Sequence, residues 1–249
     1  MWCTSGSMSE LQLVVAPPAA GAENMRRDTE LLDRCARGET SGAVRIYSFD
    51  PPCLSLGSLQ PESDVDRVAC ARDGVDVVRR PSGGRAVLHA REVTYAVVCR
   101  ADDPDLGGRV LESCARIHHA VALGLQQLGV DTIARAASRD ERAAARAGAA
   151  LADCFARPSA HELMDTYGRK LVGSAQARRG RALLQHGSVL LERNGAARYL
   201  NGGADAAPSS SLSELMRRTP SRDEVVAALA AGFAAVLGSR LRAPATATA

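Results

Sequence analysis

Apolar residues in this chain recur in two rhythms that cannot share an element, and the alternation between them limits the fold more than any overall figure. Val110, Cys114, Ile117, Val121, Leu125 and Leu128 return every three or four residues, which sets them on one face of a helix over Arg109–Leu128. Glu23–Arg37 repeats that spacing through Met25, Leu31, Leu32 and Cys35, with Gly38 as the stop. A closing helix is expected after Pro220. There Ser221 and Glu224 form a capping box ahead of Val225, Val226, Leu229, Phe233 and Val236. Short strand-like runs lie between. They are Leu11–Val15, expected as an edge strand ended by Pro17 and Pro18, then Val44–Phe49, Cys53–Leu56, Val75–Arg79, Ala86–Leu88 and Val93–Cys99. Leu171–Gln176 and Ala182–Glu192 read as paired strands, and Pro61–Asp73 as one short helix ended by Gly74. No regular strand–helix–strand beat appears. The expected class is therefore α/β in its α+β form, a mixed sheet with helices packed on it.

The chain has 249 residues, enough for a sizeable core. Aromatics make up only 3% of it, so aliphatic residues and alanine must fill that core. A single domain over residues 10–240 is expected, with 1–9 and 243–249 as disordered tails. Residues 134–150 are almost all alanine, arginine and acids, and read as a solvated helix or a mobile insertion. No apolar run approaches the roughly 20 residues that cross a bilayer. Met1–Ser9 lacks a basic patch followed by an apolar stretch, so a cytoplasmic protein without membrane contact is expected. A net charge of +3 is too small to argue for nucleic acid. The cysteines at 3, 35, 53, 70, 99, 114 and 154 form no CxxC pair and no zinc-type cluster with histidine, so neither a disulfide framework nor a metal site is expected. Most should be small buried apolar residues.

One basic residue stands apart. Of 31 lysines and arginines only Lys170 is a lysine. Drift towards arginine is tolerated on a solvated surface, but a desolvated lysine can give up its proton and a guanidinium cannot. Lys170 is therefore a candidate for a position where arginine would fail, although one lysine can also survive by chance.

Three segments carry candidate chemistry. In Arg79-Arg80-Pro81-Ser82-Gly83-Gly84-Arg85-Ala86-Val87-Leu88-His89, paired glycines let a backbone approach a ligand closely and offer N–H groups to an oxyanion. A bare Gly-Gly is more often a tight hairpin turn, and the GxxxxGK spacing of a phosphate-binding loop is absent. In Gly168-Arg169-Lys170-Leu171-Val172-Gly173-Ser174-Ala175-Gln176, small side chains after the lysine leave room for a ligand chain or for a closely packed neighbour. In Leu184-Gln185-His186-Gly187-Ser188-Val189-Leu190-Leu191, His-Gly-Ser interrupts an aliphatic strand; a lone histidine there is more often a hydrogen-bonded structural residue than a base.

Together and in this order the segments resemble the lipoate–protein ligase and octanoyltransferase family, whose members share the catalytic fold of biotin–protein ligases. Arg80–Tyr95 is similar to the family's RRxSGGxAVxH signature, GRKLVGSAQ to its lysine motif, and LQHGSVLL to the strand that follows. Gly21-Ala22-Glu23-Asn24-Met25 with Asp28 and Leu31 resembles its first helix. The resemblance spans roughly residues 10–240. It implies a biotin/lipoate protein ligase catalytic-domain fold of the class II aminoacyl-tRNA synthetase kind.

Within the family, Arg85 stands where ATP-using ligases have a third small residue. GGRAVLH looks instead like the cysteine-dependent octanoyl-carrier-protein:protein octanoyltransferases, which carry a nucleophilic cysteine in a segment like ACFxxPSxYEL. Ala152-Asp153-Cys154-Phe155-Ala156-Arg157-Pro158-Ser159-Ala160-His161-Glu162-Leu163 resembles that segment. Ala90 stands where the family has an acid, and His161 where it has an aromatic residue. The resemblance thus implies Cys154 and Lys170 as catalytic residues. Substrate-binding positions are Arg80, Ser82, Gly83, Gly84, Arg85, His89, Gly173, Ser174, Ala175, His186 and Gly187.

The implied reaction needs no cofactor. An octanoyl group passes from acyl carrier protein through a Cys154 thioester to a lysine of a lipoyl-domain protein, such as the glycine-cleavage H protein or a dehydrogenase E2 subunit. Arg79, Arg80, Arg85 and Arg178 are candidate docking charges for those acidic partners. The alternatives are an ATP-dependent lipoate ligase, a relay of octanoate between lipoyl proteins, and a non-catalytic lipoyl-binding protein.

Overall fold

The computed structural model describes residues 9–135, 162–193, 195–201 and 209–243. Its main sheet runs in the order β11-β1-β2-β6-β10-β9-β8-β7. These strands are β1 (Leu11–Val15), β2 (Gly42–Tyr47), β6 (Glu92–Arg100), β7 (Ile133–Arg135), β8 (Glu162–Met164), β9 (Lys170–Arg179), β10 (Ala182–Leu190) and β11 (Leu241–Arg242). The β11-β1-β2 pairs are parallel and the rest antiparallel, so the sheet is mixed as expected. A smaller sheet, in the order β4-β3-β5, joins Asp76–Arg79, Cys53–Leu56 and Val87–His89.

Period-two alternation gives the central strands two buried faces. On β6, Val93, Tyr95 and Val97 point to one side, where α3 (Val110–Gln127) supplies Ile117, Val121 and Leu125 and α5 (Arg222–Leu237) supplies Leu229 and Phe233. Ala96 and Val98 point the other way, against Met25, Leu32 and Cys35 of α1 (Gly21–Ala36). Helices α3 and α5 cross at two glycines. A Cβ on Gly232 would sit 2.2 Å from Ala120 O, and one on Gly124 would sit 2.6 Å from Ala228 O, so the backbones touch there. The expected capping box opens α5: Ser221 Oγ accepts from Glu224 N at 3.1 Å and Ser221 N donates to Glu224 Oε2 at 2.8 Å. Such a cap contributes about 1 kcal/mol.

Several expectations change. Leu11–Val15 is not an edge strand, because β11 returns from the far end of the chain and pairs with Leu11 and Gln12. Pro61–Asp73 is not one helix. A single 3-10 turn, Glu62–Asp64, gives way to extended Val65, which bridges Leu200, and α2 (Arg67–Arg72) starts afresh with the Asp66 side chain accepting from Ala69 N. Helix α1 begins at Gly21, two residues before the expected start. Several short elements were not anticipated: strands β7, β8 and β11, the first of which makes Ala134 and Arg135 strand rather than helix, α4 over Leu212–Met216, and 3-10 turns at Ala196–Tyr199 and Gly238–Arg240. Of the 134–150 stretch only the end of β7 is described; 136–150 lie outside the described residues, as do 1–8 and 244–249 of the tails. No helix among the described residues is long and apolar enough to cross a membrane.

Candidate active site

Register brings two of the sequence segments side by side. Strands β9 and β10 pair so that Gly173 faces Ser188, Ser174 faces Gly187 and Ala175 faces His186. The third segment lies across them. Gly84, at φ +90°, turns the chain so that its backbone passes the end of β3, where a Cβ on Gly57 would meet Gly84 O at 1.9 Å. On its other side, a Cβ on Gly84 would reach Ala175 Cβ at 4.0 Å. Between the two sheets lies a cavity of about 350 Å³, open solvent at its mouth included. Gly173, Ser174, Ala175, His186 and Gly187 form one wall, with Arg80 and His89 opposite. Gly83, Gly84 and Arg85 are not among the lining residues, and neither is Ser82, whose Oγ is hydrogen-bonded to His186 Nε2.

Buried polar groups hold this arrangement. Asp28, on the inner face of α1, has no exposed surface and accepts from three donors: Arg45, Tyr47 Oη at 2.7 Å, and His186 Nδ1 at 3.3 Å. A carboxylate only accepts, so Nδ1 carries the proton and Nε2 accepts from the Ser82 hydroxyl. Burial pushes the His186 pKa below the ordinary imidazole value, while Asp28 pulls it back up. His89 is held between Ser55 Oγ at 2.8 Å and Ser188 Oγ at 3.3 Å, with its ring stacked on Phe49. On the opposite face of β9, Ser174 Oγ lies 2.9 Å from His118 Nε2, and His118 Nδ1 lies 3.8 Å from Cys114 Sγ. Burial raises the Cys114 thiol to about 11, which leaves it a poor nucleophile. Cys35, Cys53, Cys70 and Cys99 are buried, as expected of packing residues.

Lys170 opens β9 and is 98% buried against an acidic partner: both it and Glu162 are only 2% exposed, and they form an ion pair. The hairpin before it is fixed by Asp165, whose Oδ1 accepts from the backbone N–H of Tyr167 and Arg169 while Oδ2 accepts from Arg169 Nε. Ser210 N donates to Lys170 O at 2.8 Å, tying the other edge. Lys170 is not among the residues lining the cavity; Gly173, three positions along its strand, is. Cys154 lies outside the described residues.

Residues 20–234 match the lipoyl protein ligase A/B catalytic domain family. This chain belongs to that family. An octanoyltransferase LipM of Kyrpidia tusciae is 39% identical over 251 residues, covering 94% of this chain and 89% of that protein. A second, from Symbiobacterium thermophilum, is 38% identical over 234 residues and covers 89% and 84%. A third, from Carboxydothermus hydrogenoformans, is 42% identical over 175 residues, but the match spans only 62% of its length. Among solved structures, a lipoate-protein ligase A bound with ATP superposes with a TM-score of 0.70 at 21% identity, covering 95% of this chain and 90% of that one. A bi-partite lipoate protein ligase from Thermoplasma acidophilum gives 0.63 at 22%, covering 94% and 85%. At such identities the likeness concerns the fold alone, and the mixed sheet with its packed helices is that of lipoate–protein ligases.

Within this lipoyl protein ligase A/B domain the sequence reading needs one correction. Arg80 is no docking charge: it is buried and donates to Ser55 O, Gly83 O and Arg85 O at 2.6–2.9 Å, so its guanidinium shapes the glycine turn from inside. Residues important to the geometry were also missed. In the sequence Asp28 is only part of a helix, and no motif assigns a role to Arg45, Tyr47, His118 or Glu162. A signal existed for two of them. Arg45 sits in an otherwise apolar strand, and Asp28 falls near the inner stripe of an amphipathic helix, a pattern that only pairing satisfies.

Proposed function

We propose that this protein is an octanoyltransferase of protein lipoylation that works through a Cys154 thioester. The observation that carries the reading is that β9, the His-Gly-Ser strand and Arg80, which holds the glycine turn, line one cavity, with a buried lysine three residues from its wall. The LipM names of its relatives support the same activity. Gly173, Ser174 and Ala175 along the cavity carry only small side chains, which suits an acyl chain lying along them.

Cys154 attacks the thioester of octanoyl–acyl carrier protein, and the carrier thiol leaves. A lysine of a lipoyl domain then attacks the enzyme thioester and takes the acyl group as an amide. Thioester to amide is downhill, so the transfer needs neither ATP nor a cofactor. Lys170 is the cation that favours the thiolate. The backbone near Gly83 and Gly84 faces the developing oxyanion. One catalytic domain over residues 10–240, acting in the cytoplasm, suffices for both steps.

The test is intact mass spectrometry after incubation with octanoyl–acyl carrier protein in the absence of ATP. Wild type gains one octanoyl mass that hydroxylamine removes, and Cys154→Ala gains none. Activity that survives Cys154→Ala and requires ATP refutes the reading.

A further inference from the structure

The cavity shares one residue with a second hollow of the molecule. Met25 lines the cavity with Tyr47, Ala175 and His186, and it also lines a groove on α1 with Ala22, Arg26, Thr29 and Asp33. The helical repeat gives the second set, since positions 22, 25, 26, 29 and 33 fall along one stripe of α1. Among the described lining residues, Met25 alone belongs to both spaces. It is only 7% exposed, so its side chain fills the space between them.

Following the cavity wall along β9 leads to the same place. Lys170 opens the strand, and Gly173 and Ala175 follow it on the wall. Ala177 comes next on that face, about 13 Å beyond Gly173 at the usual rise of a strand. It packs against the apolar cluster that contains Met25, Leu32, Tyr47 and Leu184. A chain laid along β9 from the lysine end thus passes Gly173 and Ala175, whose side chains leave room, and runs towards a packed cluster. Met25 is the member of that cluster that borders the groove beyond. On the far side, Ala22, Thr29 and the hydrocarbon stems of Arg26 and Arg37 offer partial cover for further methylenes.

We propose that Met25 closes the end of the cavity away from Lys170 and so sets the longest acyl chain the protein accepts. This rests on the reading above that the cavity takes the octanoyl chain. A saturated chain of octanoyl length stops against the thioether, and a longer one must displace it or fold back. An unbranched, polarizable side chain fills such an irregular gap well. Cutting it back to Cβ joins the cavity to the groove on α1, and a dodecanoyl chain then has a path.

The experiment is isothermal titration calorimetry of the whole chain with free octanoate and free dodecanoate, which involves no thioester chemistry. Wild type should bind octanoate more tightly than dodecanoate. Each methylene that finds cover is worth about fourfold in affinity, so two of the four extra ones would give about tenfold. Met25→Ala should therefore shift the ratio of the two affinities towards dodecanoate by about tenfold or more. Met25→Leu, which conserves volume, should restore the wild-type ratio to within about threefold. A merely structural role for Met25 would weaken both ligands alike. An unchanged ratio in Met25→Ala overturns the proposal, and so does a wild type that binds dodecanoate as tightly as octanoate. If Met25→Ala does not fold, Met25→Val decides the matter by the same ratio, with a shift of about threefold expected. A wild type that binds neither fatty acid refutes the acyl reading of the cavity itself, and the gate with it.

Discussion

Two buried carboxylates in this molecule invite comparison. Asp28 projects from α1 into the space between β2 and β10 and accepts from Arg45, Tyr47 and His186. Two of those donors stand on β2 and one on β10, so the carboxylate clamps strands that do not touch each other directly. Glu162 stands on a three-residue strand near the far side of the sheet and meets an ammonium at the end of a flexible stem. Burial is the same in both places, but the rigidity of the donors differs. A carboxylate held by several anchored donors ties strands together, and one that meets a flexible ammonium can follow it. Burial alone therefore says little about chemistry.

The comparison breaks first at Asp28. Asp28→Ala leaves Arg45 buried without its carboxylate and should lower stability by about 3–5 kcal/mol, the range for breaking one side of a buried pair. Urea denaturation measures this, and a loss under about 1 kcal/mol would mean that Asp28 is not the clamp described. The Lys170–Glu162 pair should behave otherwise. Lys170→Met alone removes the counter-charge of a buried carboxylate, but Lys170→Met with Glu162→Leu should return stability to within about 1 kcal/mol of wild type, because apolar residues can replace a buried pair. Acyl transfer should stay lost in the double variant. If the double variant is as unstable as the single one, the pair is a structural anchor like Asp28.

The smallest effect concerns pH. The folded-state pKa of His186 lies below its unfolded value, because burial disfavours the imidazolium. Its contribution is complete above the unfolded pKa of about 6.5 and is lost as pH falls towards the folded value, since the unfolded chain binds the proton first. Thermal melts between about pH 7 and pH 5 should show a smaller acid loss in His186→Asn than in wild type. Identical losses would mean that Arg45 and Tyr47 hold Asp28 without help from the imidazole.

The sequence was informative where structure is local. The spacing of Val110, Ile117, Val121 and Leu125 gave α3 to within a residue or two at each end, and Ser221 with Glu224 marked the start of α5. The β9–β10 pair was legible because a Gly180 turn separates two runs of strand patterning. What escaped was set by distant partners. Strand β11 is two residues long and exists because Leu241 and Arg242 meet Leu11 and Gln12, which no window of local sequence contains. Strand β8 is three residues, too short for periodicity to register. The same holds within the site. The family motifs pointed to the cavity wall, and His186 and Gly173 line it. The partner of Lys170 was hidden, because a single bulge between Leu163 and Met164 decides which face the lysine joins.

The pairing of β9 with β10 has one more consequence. Gly180 and Arg181 are all that separates Arg179 from Ala182, so the length of this turn acts as a ruler for the active site. One residue more or less there, with β10 kept in register with β6, would move every β9 side chain to the opposite face. The Ser174 hydroxyl, now 2.9 Å from His118 Nε2, would turn to the other face, and Lys170 would turn away from Glu162. Among natural variants of this chain, a length change at that turn would leave each motif readable in the sequence while taking the site apart.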